Sequence, residues 1–268
     1  MFVYRSFFLT LFILITALGF SEIRTIHSFK EAEKELNNVD ANSLVLFDVD
    51  EVLIRPADAL LTPSGGTFAG WEKVPKEQFD DFLSIMIGAT QYTLVDPDAP
   101  QVVADLKKRG VPTLGFTACR TGAFATIPSM ENWRFKQLNQ LGIDFSPSFT
   151  KECSFPELVG ENVNPPLCKK GILFCGDFYI PKKSSKGLLL DAFLDRFKLH
   201  PSKVVFFDDD LKNLVAVEEI LQKREIPYQG LLLQKDFPAL DEKIAELQLQ
   251  TLLEKKKWIS DLQAKELL

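Results

Sequence analysis

Two acidic strings stand directly after apolar runs. In the first, Leu44-Val-Leu-Phe leads into Asp48-Val-Asp50-Glu-Val-Leu53; in the second, Lys203-Val-Val-Phe-Phe leads into Asp208-Asp209-Asp210, with Asn213 close behind. Short apolar runs rich in β-branched and aromatic residues predict buried strands. If the chain stays extended past the first run, side chains two apart point the same way, so Asp48 and Asp50 share one site. Like charges that close require a counter-ion or a shared proton. Three consecutive carboxylates at the end of a buried strand raise the same cost, which a divalent cation offsets. Oxygen donors without histidine or thiolate favour magnesium. An acidic start to a following helix, stabilised by the helix dipole, accounts for the second string equally well. Two further groups stand at comparable places. Thr117 closes the apolar run Thr113-Leu-Gly-Phe, and Lys186 opens the segment Gly187-Leu-Leu-Leu. Taken singly, each fits a turn or cap threonine and a solvated lysine.

The elements that would hold these residues alternate in type. Strands are expected at Leu44–Phe47, Thr113–Phe116, Gly171–Phe174, Val204–Phe207 and Gly230–Leu233, the third being alternatively half of a hairpin outside the main sheet. Apolar residues at three- and four-residue spacing predict helices at Phe29–Leu36, Gln101–Arg109, Met130–Leu141, Gly187–Phe197 and Leu211–Arg224. Alternation of this kind predicts an α/β fold with a parallel sheet covered by helices. Between the first two strands lies a Pro- and Gly-rich stretch, 55–94, with a helix-like part at Lys76–Met86. It is too long for a simple connection, and it follows the carboxyl end of a strand, where open α/β sheets bind ligands. It reads as a cap over the site or as a surface insertion.

In chain order, an acid pair after a strand, a hydroxyl after a strand, a lysine at a helix start and a second acid pair resemble the four motifs of the haloacid dehalogenase superfamily. The match runs over roughly 43–233, through Asp48-Val-Asp50-Glu51-Val52-Leu53, Thr117, Lys186 and Asp208-Asp209, with Asn213 where the family has a further acid. The resemblance implies a Rossmann-like parallel sheet of five strands sandwiched by helices, with a small cap inserted after the first strand. It also implies magnesium-dependent phosphomonoester hydrolysis through an aspartyl-phosphate. Asp48 would be the nucleophile, Asp50 the general acid and base, Thr117 a phosphate donor and Lys186 a neutralising cation. Asp48, Asp50, Asp208 and Asp209 would surround Mg2+, with Asp209 the main ligand. The chain looks like a secreted bacterial branch of that superfamily. Such chemistry needs an in-line nucleophile, charge neutralisation and a proton for the leaving group, all of which these residues supply. No cysteine is followed at the right spacing by arginine, and His27 and His200 are the only histidines, which disfavours cysteine-based and phosphohistidine chemistry and a zinc site.

Composition sets the remaining bounds. The 268 residues are 46% apolar and 25% charged with a formal net charge of −6, enough for a full core. With no long basic run, nucleic acid is not an expected partner; a phosphorylated substrate is. Residues 1–21 carry Arg5, an uncharged stretch from Ser6 to Phe20 and small residues at Ala17, Gly19 and Ser21. That is the layout of a signal peptide, so the expected location is secreted or periplasmic, with residues 22–268 as the working domain. An uncleaved anchor is the alternative, and only then would the chain meet a membrane. Cys119, Cys153, Cys168 and Cys175 form no CxxC pair; a Cys153–Cys168 bridge and four buried thiols are both open. Two other functions compete. A catalytically silent interaction protein would use the segment from Pro238 as a docking helix, and a DxD glycosyltransferase would need only the first acid pair.

Overall fold

The computed structural model describes residues 21–178, 180 and 184–268. The signal segment expected over 1–21 therefore falls, up to residue 20, outside the described residues. In chain order the regular elements are β1 (Glu22–Ile26), α1 (Glu33–Asn37), β2 (Leu44–Phe47), β3 (Ile54–Pro56), α2 (Phe79–Ala89), β4 (Tyr92–Leu94), α3 (Ala99–Lys108), β5 (Thr113–Thr117), α4 (Met130–Gln140), β6 (Cys153–Ser154), β7 (Leu167–Lys169), β8 (Ile172–Phe174), α5 (Lys186–Phe197), β9 (Val204–Asp208), α6 (Leu211–Lys223), β10 (Tyr228–Leu233), α7 (Glu242–Lys255) and α8 (Asp261–Leu267).

The strands of the main sheet lie in the order β1-β10-β9-β2-β5-β8-β7-β6. From β1 through β8 every neighbouring pair is parallel, and the pairs β8–β7 and β7–β6 are antiparallel. Strands buried on both faces read as unbroken apolar runs, and β2, β5 and β9 are such runs. Their side chains alternate between two cores. Val45, Phe47, Val205 and Phe207 pack with α1, α3 and α4; Leu44, Leu46, Val204 and Phe206 pack with α5 and α6. The result is the α/β sandwich with a Rossmann-like parallel sheet that the sequence predicts, with more than the five expected strands. The extra strands are short or polar. β1 alternates Glu22-Ile-Arg-Thr-Ile26 and pairs along β10, and β6 has two residues.

The run at Gly171–Phe174 is a strand of the main sheet, as expected. It is also half of a hairpin, because one edge of β8 pairs antiparallel with β7 and the other parallel with β5. The two residues joining β7 to β8, Lys170 and Gly171, both have positive φ (51° and 71°), the combination that lets a two-residue hairpin turn match strand twist.

Residues 55–94 leave the sheet between β3 and β4, which pair with each other in a separate two-stranded sheet. Leu60, Val74, Phe82 and Met86 of this insertion form one apolar cluster with Ala245, Leu249, Leu252 and Trp258. The segment from Pro238 therefore packs on its own chain. Ile244 and Ile259 are buried and Leu240, Leu247 and Leu252 join apolar clusters, leaving Leu262 exposed. Among the described residues no helix is long and apolar enough to cross a membrane.

Candidate active site at the carboxyl edge of the sheet

Chain order along the sheet reverses at β2. From β2 the chain proceeds through β5 to β8 on one side, then returns to β9 and β10 on the other. Open α/β sheets bind ligands outside the strand ends at such a reversal. Asp48 follows β2 and Asp208 ends β9, and the Asp48 amide donates to the Phe207 carbonyl at 2.8 Å. The two carboxylates are thereby fixed side by side.

Between them stands Lys186. Its ammonium lies 2.8 Å from Asp48 Oδ1 and 2.7 Å from Asp208 Oδ2, with 1% of its side chain exposed. The first residue of α5 reaches this point because α5 comes very close to α6. A Cβ on Gly187 would lie 2.2 Å from the Ala216 carbonyl oxygen, so a larger residue there would push Lys186 out of place. Burial works against the lysine's charge, but Asp208 and Asp48 outweigh it and raise its pKa above the ordinary value.

Asp208, Asp209 and Asp48 each offer a carboxylate oxygen within 4.8 Å of the others'. Asp208 is well served, accepting from the Asp210 amide and from Asn213 Nδ2, both at 2.8 Å, in addition to Lys186. The asparagine at the position of an expected acid therefore orients Asp208. Asp48 Oδ1 accepts from the Val49 amide at 2.8 Å and is ion-paired with Lys186. Oδ2 of Asp48 has no protein donor among the described residues, and the Asp209 carboxylate has none beyond its own backbone amide. One lysine does not balance three carboxylates. Burial, with added repulsion from Asp208, Asp209 and Asp50, pushes Asp48 well above the usual carboxylate range despite Lys186. Burial and then Asp208 push Asp209 up to about 6. This all-oxygen donor set, with negative charge in excess, fits a hard divalent cation such as magnesium, which Asp48, Asp208 and Asp209 could hold. Asp210, third of the string, serves the helix instead, its side chain capping α6 by accepting from the Lys212 amide. The helix-start reading of the acidic string holds for Asp210.

Asp50, expected among the metal ligands, is not in this group. The strand ends at Phe47, and the backbone then turns, with Glu51 at φ 60° and the amides of Leu53 and Ile54 both donating to Val49. That turn comes after Asp50, which itself forms a β-bridge with Ile54. Asp50 instead accepts from Arg134 Nη2 at 2.6 Å and from Thr117 Oγ1 at 3.1 Å. Thr117, expected to hydrogen-bond a phosphate, directs its proton to Asp50 and accepts from the Cys119 amide.

Arg134 escapes the sequence reading. It is 4% exposed, donates to Gln137 and lies against the Trp133 and Tyr92 rings at 4.7 and 5.5 Å. In α4 it looks like any surface arginine, and no local signal marks its burial. Glu51 is likewise unmarked by the sequence pattern. Its Oε2 is buried without a partner, and burial, Asp50 and Asp209 push its carboxyl up to about 7. Beside the acids a cleft of about 540 Å³ opens, bordered by Arg120, Asp177, Ser184, Lys186 and Asn213.

Fold and site together define an α/β protein with a carboxylate–lysine centre at the reversal of a parallel sheet. The chain belongs to the family described as protein of unknown function DUF2608, whose pattern matches residues 25–265. It is 25% identical over 260 residues to an uncharacterized protein of Rickettsia prowazekii, covering 93% of this chain and 92% of that one. It is also 22% identical over 238 residues to a Chlamydia trachomatis protein named "Putative outer membrane protein", covering 83% and 82% of the two chains.

Proposed function

We propose that this protein is a magnesium-dependent phosphomonoester hydrolase of the haloacid dehalogenase kind, acting through an aspartyl-phosphate on Asp48. The observation that carries this reading is the buried Lys186 bridging Asp48 and Asp208 beside Asp209. A nucleophilic carboxylate, a fixed cation and an oxygen cluster with negative charge in excess meet at one strand end, as phosphoryl transfer requires. Bound magnesium would neutralise charge on the transferring phosphoryl group. An Asp48 oxygen forms the new bond to phosphorus as the ester P–O bond breaks, and Lys186 steadies the developing charge. Asp50, which accepts from Arg134 and Thr117, would pass a proton to the leaving oxygen and later take one from the attacking water. Water then cleaves the P–O bond to Asp48, releasing phosphate and restoring the carboxylate. With the chlamydial relative's printed name and the leader-like start, the reading extends to an exported enzyme of the cell envelope.

Phosphate release from p-nitrophenyl phosphate with magnesium tests the proposal. Asp48→Asn should lose at least about a thousandfold in turnover while remaining folded, since no other carboxylate can take the nucleophile's place. A wild-type protein that releases no phosphate from this probe or from a panel of phosphomonoesters, or an Asp48→Asn variant as active as wild type, overturns it.

A further inference from the structure

Cys153 and Cys168 stand directly opposite one another as Cα partners in the antiparallel pair β6–β7. Directly opposed residues in such a pair are about 4.5–5.5 Å apart at Cα and project to the same face, inside the range a disulfide spans. Both side chains meet the same apolar core, Cys168 as a buried member and Cys153 packed against it. Cys175, just beyond the end of β8, is buried in the same core but is not paired with either in the sheet, and Cys119 lies just beyond the end of β5.

What this pair would hold is weakly held otherwise. β6 has two residues and sits at the sheet edge with β7 as its sole strand neighbour. A strand this short contributes few ladder bonds. Yet the loop between Cys153 and Cys168 backs Asp177, which borders the cleft. The Pro165 carbonyl accepts from Thr121 Oγ1 at 2.8 Å, and the Asn164 carbonyl accepts from the Asp177 amide at 3.0 Å. Phe155, at the loop's start, is fully buried.

We infer that Cys153 and Cys168 form an intramolecular disulfide when the folded chain meets a disulfide donor, stapling the loop 154–167 beside the cleft. The inference does not depend on the hydrolase reading. The half-exposed Cys153 reacts first. It loses its proton, attacks one sulfur of the donor disulfide and releases one donor thiolate. Cys168 then loses its proton and attacks the Cys153 sulfur, releasing the second donor thiol. Two protein thiols are oxidised, one donor disulfide is reduced to two thiols, and the two protons pass to those thiolates. Burial raises both protein thiols, Cys168 to about 12, so exchange is faster in mildly alkaline solution.

The reduced, folded protein is incubated with excess oxidised glutathione at about pH 8, then denatured and alkylated without reductant. The expected product is lighter by two hydrogens, takes alkylating reagent at Cys119 and Cys175 only, and yields a linked Cys153–Cys168 peptide. Its melting temperature rises by about 5–10 °C, the shift expected for closing a loop of this size. Cys153→Ser and Cys168→Ser should each abolish both effects. Alkylation at both Cys153 and Cys168, glutathione retained on Cys153, or linkage to Cys119 or Cys175 overturns the inference. The wild-type readout stands whether or not the serine variants fold.

Discussion

Lys186 explains why single residues here cannot be judged alone. Removing it would leave two buried carboxylates facing one another, so its loss would destabilise the fold as well as disable the chemistry. The same coupling makes Asp50 an impure test of proton transfer, because Arg134 depends on it for charge balance. Glu51 offers a cleaner measurement. Its carboxyl rises from an ordinary 4.5 to about 7 through burial, then Asp50 and Asp209. Between those pH values the folded state binds more protons than the unfolded state, so stability falls as pH rises through that window. With chelator present, wild-type denaturation midpoints should decline from about pH 4.5 to beyond pH 7. Glu51→Gln should flatten that decline and be the more stable protein above about pH 7. An unchanged slope in the variant would mean that Glu51 is not strained in the folded chain.

Among the elements, the insertion and the C-terminal helices depend on each other. Asp58 in the insertion is buried and accepts from Thr90 Oγ1 at 2.5 Å, Trp258 Nε1 at 2.8 Å and the Asp261 amide at 2.9 Å. Asp261 in turn accepts from the Ala59 amide and from the buried Gln248, closing a polar clasp over the apolar cluster of Leu60, Phe82 and Leu249. Asp58→Ala leaves three donors without their acceptor and should cost about 3 kcal/mol. Urea denaturation gives the energy, and hydrogen exchange should show α8 and the insertion losing protection together. A variant within about 0.5 kcal/mol of wild type would show that the apolar cluster alone joins these segments.

At the scale of the whole molecule, the centre lies where two halves of the sheet meet, so occupying it ties β2 to β9. If Asp48, Asp208 and Asp209 hold a cation, magnesium at about one hundred times its dissociation constant should stabilise the folded chain by about 2.7 kcal/mol. Asp209→Asn should lose most of that gain without loss of metal-free stability, because burial already penalises the Asp209 charge. Thermal melts with and without magnesium measure both quantities. Equal shifts in the two proteins would remove Asp209 from the ligand set.

The apolar runs of β2, β5 and β9 and the acids that end two of them are legible in the chain, because a strand buried on both faces must be apolar until it reaches the edge where polar groups meet solvent. Local pattern also marks α3 to α6 to within a residue or two. It does not mark β1, β6 and β7, which are short or polar and exist through their pairing partners. Three matters are decided by tertiary structure alone. The spacing would set Asp50 among the ligands beside Asp48, but a buried arginine from α4 and Thr117 engage its carboxylate, and it is not in the group of Asp48, Asp208 and Asp209. Asp208, Asp209 and Asp210 look alike in sequence, yet the cap of α6 takes Asp210 while the strand end delivers the other two to Asp48. Arg134 has a surface-like local context, and only the packing of α4 against Tyr92 buries it. Residue type and strand period act locally and can be read from the chain, whereas charge balance in a buried site depends on which distant groups the packing brings within a few ångströms.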